Sequence, residues 1–147
     1  MANKIVTDEV KKMIGSKSQP RTFEIESGAI RRFAEAIGDP NPLFNDEQAA
    51  RHTRFGGMIA PPTFMRSLGI EFLDVKIQAG RALDGGSEWD YFIPIRPGDR
   101  ITVVSKLADI RESEGRLGPM AFIVAETSYT NQFGELCAIQ RTTTIRY

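Results

Sequence analysis

The stretch that most constrains the fold is GDPNPLFNDEQAARHTRFGGMIAPPTF, residues 38–64. It contains three glycines, four prolines and the only histidine of the chain. Each proline fixes its own φ angle and drives the preceding residue towards extended backbone. The pairs Asp39-Pro40 and Asn41-Pro42 therefore predict a stiff, non-repetitive loop that holds two polar side chains in place.

The end of this stretch predicts the entrance to a buried helix. Proline is favoured at the first helical position, where its missing N–H costs nothing. The residues that follow are apolar on most sides of such a helix: Phe64, Met65, Leu68, Phe72 and Leu73. That pattern is typical of an enclosed helix. We therefore predict a central helix from about Pro62 to Leu73, with a close packing partner at Gly69.

Shorter elements are predicted before this stretch. Thr7 can cap a helix over residues 8–14 that Gly15 ends, and Ser27 can cap a second helix that Gly38 ends. Residues 21–26 alternate as a strand does. A further short helix is expected within the stretch itself, near residues 46–51.

After Gly80 the pattern changes to strands and turns. Strands are predicted over residues 87–93, 100–110, 120–130 and 135–147, with turns at Arg96-Pro97-Gly98-Asp99 and at residues 131–134. Long strands joined by turns form an antiparallel meander. The fold class is thus α+β, with one helix packed against a curled sheet.

Length, charge and cysteine content exclude several classes of partner and site. A length of 147 residues predicts one domain, 1–147, and zero net charge gives no electrostatic reason to expect nucleic acid or an anionic membrane as a partner. Cys137 is the only cysteine, which excludes an internal disulfide and a cysteine-based zinc site and suits a reducing cytosol. No signal peptide or membrane-spanning run is evident. We expect a cytoplasmic protein without metal or redox cofactor.

Four motifs together carry a family resemblance. They are FAEAIGDPNP at residues 33–42, IAPPTF at 59–64, RPGD at 96–99 and NQFGE at 131–135. In this order they resemble the MaoC-like dehydratase family, in particular the N-terminal hot-dog domain found beside (R)-specific enoyl-CoA hydratases. The resemblance covers nearly the whole chain. It implies a curled sheet wrapped around a central helix, pairing of subunits into dimers, and acyl thioesters bound between them.

The resemblance also implies a reaction and its catalytic residues. Hydration of a 2-enoyl thioester needs a base that activates water and a donor that stabilises the thioester oxygen. The family pattern is aspartate, any residue, asparagine, proline, an aliphatic residue and histidine. Asp39 and Asn41 match it, but Phe44 stands in place of the histidine and cannot transfer a proton.

The oxyanion donor differs as well. In catalytic members a glycine N–H at the start of the central helix faces the thioester oxygen, and the equivalent residue here is Pro62, which has no N–H. The Thr63 N–H is the nearest substitute, displaced by a rotation of about 100° along a helix. These two losses predict that the chain alone is a poor hydratase.

In the family, such a domain often pairs with a catalytically complete hot-dog partner and shapes the acyl pocket. The resemblance places the acyl tail along Phe64, Leu68 and Phe72. Arg51 and Arg54 are candidates for the phosphates of coenzyme A or acyl carrier protein.

Each candidate also has a structural interpretation. Asp39 and Asn41 can be turn residues, and His52 a surface histidine instead of a replacement catalytic group. The two arginines can form a solvated face, and the three apolar residues can be core. Cys137 has no visible base partner, which argues against a nucleophile.

Three functions follow from these observations. The first is a subunit of an (R)-specific 2-enoyl-thioester hydratase or 3-hydroxyacyl-thioester dehydratase that needs a catalytic hot-dog partner, in a homodimer or heterodimer. The second is a self-sufficient homodimeric hydratase that uses Asp39. The third is a non-catalytic acyl-thioester-binding protein. Thioesterase is a weaker fourth, since the fold hosts it but the motif at residues 39–42 is not its signature.

Overall fold

The computed structural model describes residues 4–69 and 73–147. Helix α1 (Asp8–Lys11) begins at Thr7, whose hydroxyl accepts a hydrogen bond from the Val10 amide at 3.2 Å. This helix is shorter than predicted, because the chain turns before Gly15, where φ is 94°. Strand β1 (Arg21–Glu24) follows and ends two residues earlier than predicted.

Helix α2 (Ser27–Ala36) packs one face into the core. Ile30 and Ala34 on that face are 0% exposed. Burying the isoleucine side chain contributes about 2 kcal/mol. Glu26, and not the predicted Ser27, is the N-cap residue, and its side chain makes no capping bond. Gly38 adopts a φ of 71° just after the helix, as its predicted position at the end requires.

Two short helices come next, α3 (Pro42–Asn45) and α4 (Glu47–Arg51). Asn41 caps α3 and Asp46 caps α4, each through a side-chain oxygen that accepts a backbone N–H. The second helix was predicted from the sequence. Helix α3 was not predicted, because the prolines on either side of Asn41 indicate a loop and the sequence does not show that a helical turn begins at Pro42.

The predicted central helix from Pro62 to Leu73 is wrong in the residues described. Helical structure is confined to one 3-10 turn, Phe64–Ser67, and Leu68 is already extended with a ψ of 140°. The Ser67 hydroxyl donates to the Phe64 carbonyl at 2.6 Å, and such side-chain bonds compete with helix continuation. Phe64 and Met65 are both buried, so neighbouring residues and not one helical face point inwards.

Gly69 was expected to lie against a close partner, and it does. A methyl group added there would lie 3.0 Å from an Arg21 guanidinium nitrogen and 3.4 Å from the Phe23 ring. Strand β1 therefore packs directly on the segment that follows the 3-10 turn. Among the helices of residues 4–69 and 73–147, none is long and apolar enough to cross a bilayer.

Four long strands complete a five-stranded antiparallel sheet, together with β1. They are β2 (Ala82–Tyr91), β3 (Arg100–Gly115), β4 (Gly118–Thr130) and β5 (Leu136–Arg146). The strand order is β1-β3-β4-β5-β2. Strands β3 to β5 form the predicted meander, whereas β2 crosses to the far edge and pairs with β5.

The inner face of the sheet changes parity in β3. Odd-numbered residues such as Val103 and Leu107 point inwards, but Ile110 is the next buried residue. Ala108 is the extra residue, because the register shifts between Leu107 and Asp109. This β-bulge also turns Glu112 inwards, where its carboxylate accepts the amides of residues 5 and 6 at 3.1 and 2.8 Å.

Two apolar cores lie on this inner face. The first contains Ile30, Phe44, Phe64 and Tyr129, and the second contains Val6, Leu107 and other residues near the N-terminal segment. The space between these two cores is where a cavity opens.

Candidate functional site

The Asp39–Asn45 segment is held by its own side chains. Asp39 Oδ1 accepts the Asn41 amide at 3.0 Å, and Asn41 Oδ1 accepts the Leu43 amide at 3.0 Å. Asn45 Nδ2 donates to the carbonyls of residues 39 and 41 at 3.3 and 2.8 Å. Both predicted catalytic side chains thus serve local backbone turns. The sequence analysis missed Asn45, although asparagine side chains in turns commonly form hydrogen bonds with nearby backbone groups.

Phe44 is buried and not open to a bound substrate. It is 7% exposed and belongs to the first core. The position that carries the histidine in the family pattern is here part of the hydrophobic packing. By its place in the family pattern Phe44 is also a candidate substrate-binding residue, and that role stays a prediction.

The Asp39–Asn45 segment lies beside the chain that leads into Pro62. The Ile59 amide donates to the Leu43 carbonyl at 3.3 Å, three residues before the proline. Pro62 and Thr63 are exposed, and Pro62 lines a small cavity of about 230 Å³ with residues 91–95. The two motifs that the sequence identified separately are therefore neighbours in the fold.

Arg51, His52 and Arg54 are exposed at and just after the C-terminal end of α4. His52 is the C-cap residue, and its amide donates to the Ala49 carbonyl at 3.2 Å. Arg51 pairs with Glu47 at 3.4 Å, and the Arg54 guanidinium lies 4.8 Å from the centre of the Phe55 ring. A surface pair of this kind is worth at most about 1 kcal/mol. Both arginines are thus free to exchange these contacts for a phosphate.

A cavity of about 670 Å³ separates the two cores. Its volume is within the range of small-molecule sites, which is roughly 300–1,000 Å³. Its apolar lining residues are Leu68, Leu73, Val75, Leu107, Ile123 and Ala125. Its polar and charged lining residues are Arg66, Asp74, Ser105, Thr127, Gln140, Thr142, Thr144 and Arg146.

Two of the predicted acyl-tail residues, Phe64 and Leu68, have different environments in the structure. Leu68 lines the cavity, whereas Phe64 is 2% exposed and packs edge-on against Phe33 with ring centres 5.6 Å apart. Phe72 lies outside the described residues. The sheet contributes most of the lining of this cavity, and the path of the acyl tail stays a prediction.

A row of hydrogen-bonded polar side chains crosses the sheet beneath the cavity. Ser105 and Thr127 hydroxyls are 2.8 Å apart, and Gln140 bonds both the Tyr129 hydroxyl at 3.1 Å and the Ser87 hydroxyl at 2.8 Å. Burial raises the pKa of Tyr129 to about 12. Sequence analysis missed this row, because alternation alone does not say which face each residue occupies.

Cys137 does not have the environment of a nucleophile. It is 0% exposed, and burial, followed by the nearby Asp99 charge, raises the pKa of its thiol. A reactive cysteine needs the opposite shift. Over the described ranges, no group of three His, Cys, Asp or Glu side chains is placed to hold a metal ion.

The profile of the family described as "FAS1-like, dehydratase domain region" matches residues 12–140. The UPF0336 protein of Streptomyces avermitilis is 35% identical over 108 residues, which cover 67% of this chain and 72% of that protein. The probable enoyl-CoA hydratase alpha subunit of Thermomonospora curvata is 30% identical over 138 residues, which cover 80% of this chain and 43% of that protein.

Solved structures show the same architecture. The MaoC-like dehydratase from Rhodospirillum rubrum matches with a TM-score of 0.73 and 26% identity, covering 91% of this chain and 92% of that one. A chain of the ChsH1–ChsH2 complex from Mycobacterium tuberculosis matches with a TM-score of 0.77 and 21% identity, covering 95% and 87%. The chain thus has the hot-dog fold of MaoC-like dehydratases and belongs to the FAS1-like dehydratase domain region family.

Proposed function

We propose that residues 1–147 act as one hot-dog domain and form a subunit of an (R)-specific 2-enoyl-thioester hydratase or 3-hydroxyacyl-thioester dehydratase. A second hot-dog subunit supplies the acid–base pair. The observation that carries this proposal is the burial of Phe44 at the position of the family's histidine. Without that imidazole, Asp39 lacks its acid–base partner, and its carboxylate already holds a turn.

The exposed edge of the sheet supports a partner. Strand β2 is the last strand in the sheet order, and nine of its ten residues are exposed. Leu83 and Phe92, at its two ends, are 53% and 57% exposed. An open edge with apolar side chains is a template for pairing with another chain. We infer that the partner docks here.

Known assemblies of relatives agree with this arrangement. The Thermomonospora curvata relative is described as an alpha subunit, and ChsH1 and ChsH2 form a complex. Both observations support a heterodimer of hot-dog chains in preference to a homodimer. The thioester would then lie between the subunits, with its carrier phosphates near Arg51 and Arg54.

The first test follows crotonyl-CoA hydration by the loss of enoyl-thioester absorbance. The chain is assayed alone and mixed with a hot-dog protein that carries an intact aspartate-to-histidine motif. We expect turnover only on mixing, and an Asp39→Asn variant within a few-fold of wild type. Turnover by the chain alone, abolished in Asp39→Asn, would instead establish the self-sufficient homodimer, with His52→Ala the next variant to assay.

A second test addresses docking. Leu83→Asp and Phe92→Asp should each weaken association with the partner at least tenfold in analytical ultracentrifugation. Leu117→Asp is the matched control, because Leu117 is 75% exposed in the β3–β4 turn and belongs neither to β2 nor to β5, the strand that pairs with β2. Equal association by all three variants contradicts docking at β2.

If the chain binds thioesters but shows no turnover alone or with any hot-dog partner, the result would support the third function, a non-catalytic acyl-thioester-binding protein.

A further inference from the structure

Strand β5 contributes only polar and charged side chains to the lining of the 670 Å³ cavity. Gln140, Thr142, Thr144 and Arg146 alternate along it and share the inner face of the sheet. At roughly 3.4 Å per residue they span about 20 Å. The cavity is therefore long, with hydroxyl groups along one side and a cation at the end of the strand.

Arg146 has unused hydrogen-bonding capacity in this cavity. Its Nη2 donates to the Ala79 carbonyl at 2.7 Å, which anchors one end of the guanidinium. Its Nε is buried and has no hydrogen-bond partner among the residues that the structure describes. This atom has less than 1 Å² of accessible surface, so a ligand in the cavity would have to contact the guanidinium through its other atoms.

The charges at the cavity favour an anionic acceptor. Its ionisable lining residues are Arg66, Asp74 and Arg146, two cations and one anion. Arg66 belongs to the 3-10 turn that begins two residues after Pro62, whereas Arg146 is at the C-terminal end of β5. An acyl chain that enters near the turn and follows β5 would bring its far end to Arg146.

We propose that this cavity selects acyl thioesters whose far end carries a carboxylate, which pairs with the Arg146 guanidinium. The leucines and Val75 enclose the methylene chain, and the β5 hydroxyls accommodate polar substituents along it. This inference rests on the proposed function for the nature of the ligand. It goes further by naming the substrate class and the residue that selects it.

The test is binding, so that it does not depend on turnover. Two saturated coenzyme A thioesters of equal chain length, one ending in a carboxylate and one in a methyl group, are titrated calorimetrically into the wild-type complex. We expect the carboxylate-ended thioester to bind at least tenfold more tightly. Equal affinity, or failure of both to bind, overturns the inference.

Variants assign the preference to Arg146. Arg146→Gln should abolish the preference for the carboxylate-ended thioester, and Arg146→Lys should keep part of it. Arg116→Gln is the matched charge control, because Arg116 is exposed in the β3–β4 turn. A preference that survives in Arg146→Gln overturns the assignment. Selective binding without hydration would refute the proposed reaction alone, whereas hydration without selectivity would refute this inference alone.

Discussion

The Asp39 carboxylate accepts the backbone amide of Asn41 at 3.0 Å, so the residue that the family pattern assigns to catalysis also closes a turn. Its backbone amide in turn donates to the Ala34 carbonyl at 2.9 Å, which ties the turn to the end of α2. Because an amide oxygen can replace a carboxylate oxygen as acceptor but not as a base, substitutions here separate the two roles.

The first prediction concerns the stability of this turn. Asp39→Ala removes the acceptor and should lower the free energy of unfolding by about 1 kcal/mol, as loss of a helix cap does. Asp39→Asn keeps an acceptor and should stay within about 0.5 kcal/mol of wild type. Urea unfolding followed by circular dichroism measures both. Equal losses in the two variants would show that charge, not hydrogen bonding, stabilises the turn.

A second prediction concerns the missing histidine. Phe44→His places a polar ring in the first core, and we expect a loss of about 2–4 kcal/mol without any gain of hydration by the chain alone. Phe44→Leu is the control for volume, with an expected loss nearer 1.5 kcal/mol. Thermal unfolding and the crotonyl-CoA assay test both variants. A stable, active Phe44→His protein would mean that only one substitution separates this chain from a complete hydratase.

The third prediction is a pH dependence that originates at Tyr129. Its folded-state pKa of about 12 lies above 10.0, the ordinary value for tyrosine. The stabilisation is therefore complete below pH 10.0 and is lost as the pH rises through 12, because the unfolded chain releases the proton first. Within that window the free energy of unfolding should fall by roughly 1.4 kcal/mol per pH unit from this group.

Tyr129→Phe provides the comparison. It loses the hydrogen bond to Gln140 and should be about 1 kcal/mol less stable than wild type near pH 8. Since phenylalanine does not ionise, the advantage of the wild type should vanish and then reverse as the pH rises from 10.0 towards 12. Parallel curves from urea titrations at a series of pH values would contradict the assignment to Tyr129.

The fourth prediction concerns the thiol of Cys137. Because it is 0% exposed and its pKa is raised by burial, an aromatic disulfide reagent should not react with the native protein. Full reaction is expected in urea, at a rate that follows unfolding. A Cys137→Ala, Ser113→Cys double variant is the positive control, because residue 113 is exposed. Native Cys137 reacting as fast as this control would show that β5 opens readily.

The strands could be predicted because their pattern is local. Alternation over residues 100–110 and the glycine-containing turns specify period and direction, and the structure extends β3 only to Gly115. The sequence could not show that the predicted central helix stops at Ser67 in the described residues, because an apolar run fits a helix or an irregular buried segment equally well. Tertiary packing of both Phe64 and Met65 decides between them.

The candidate site likewise contains some residues that could be predicted from the sequence and others that could not. Asp39 and Asn41 were identifiable from their prolines, since a constrained backbone is visible in the sequence. Arg146 was not, because its significance depends on strand register and on the absence of a described partner for Nε. Thr142 and Thr144 could likewise be assigned to the cavity lining only once the structure showed that this face of β5 lines the cavity.

The bulge at Ala108 limits how this chain can tolerate insertions and deletions. Removing that single residue would remove the bulge and leave the faces unchanged, because Leu107, Asp109 and Ile110 already pair with consecutive residues of β4. Removing a residue further along, such as Arg111, would instead turn Glu112 to the other face and release the amides of residues 5 and 6, which it now holds at 3.1 and 2.8 Å. Single-residue deletions in this half of the hairpin should therefore be tolerated at Ala108 or in the β3–β4 turn, and length changes elsewhere should preserve the parity of the strand.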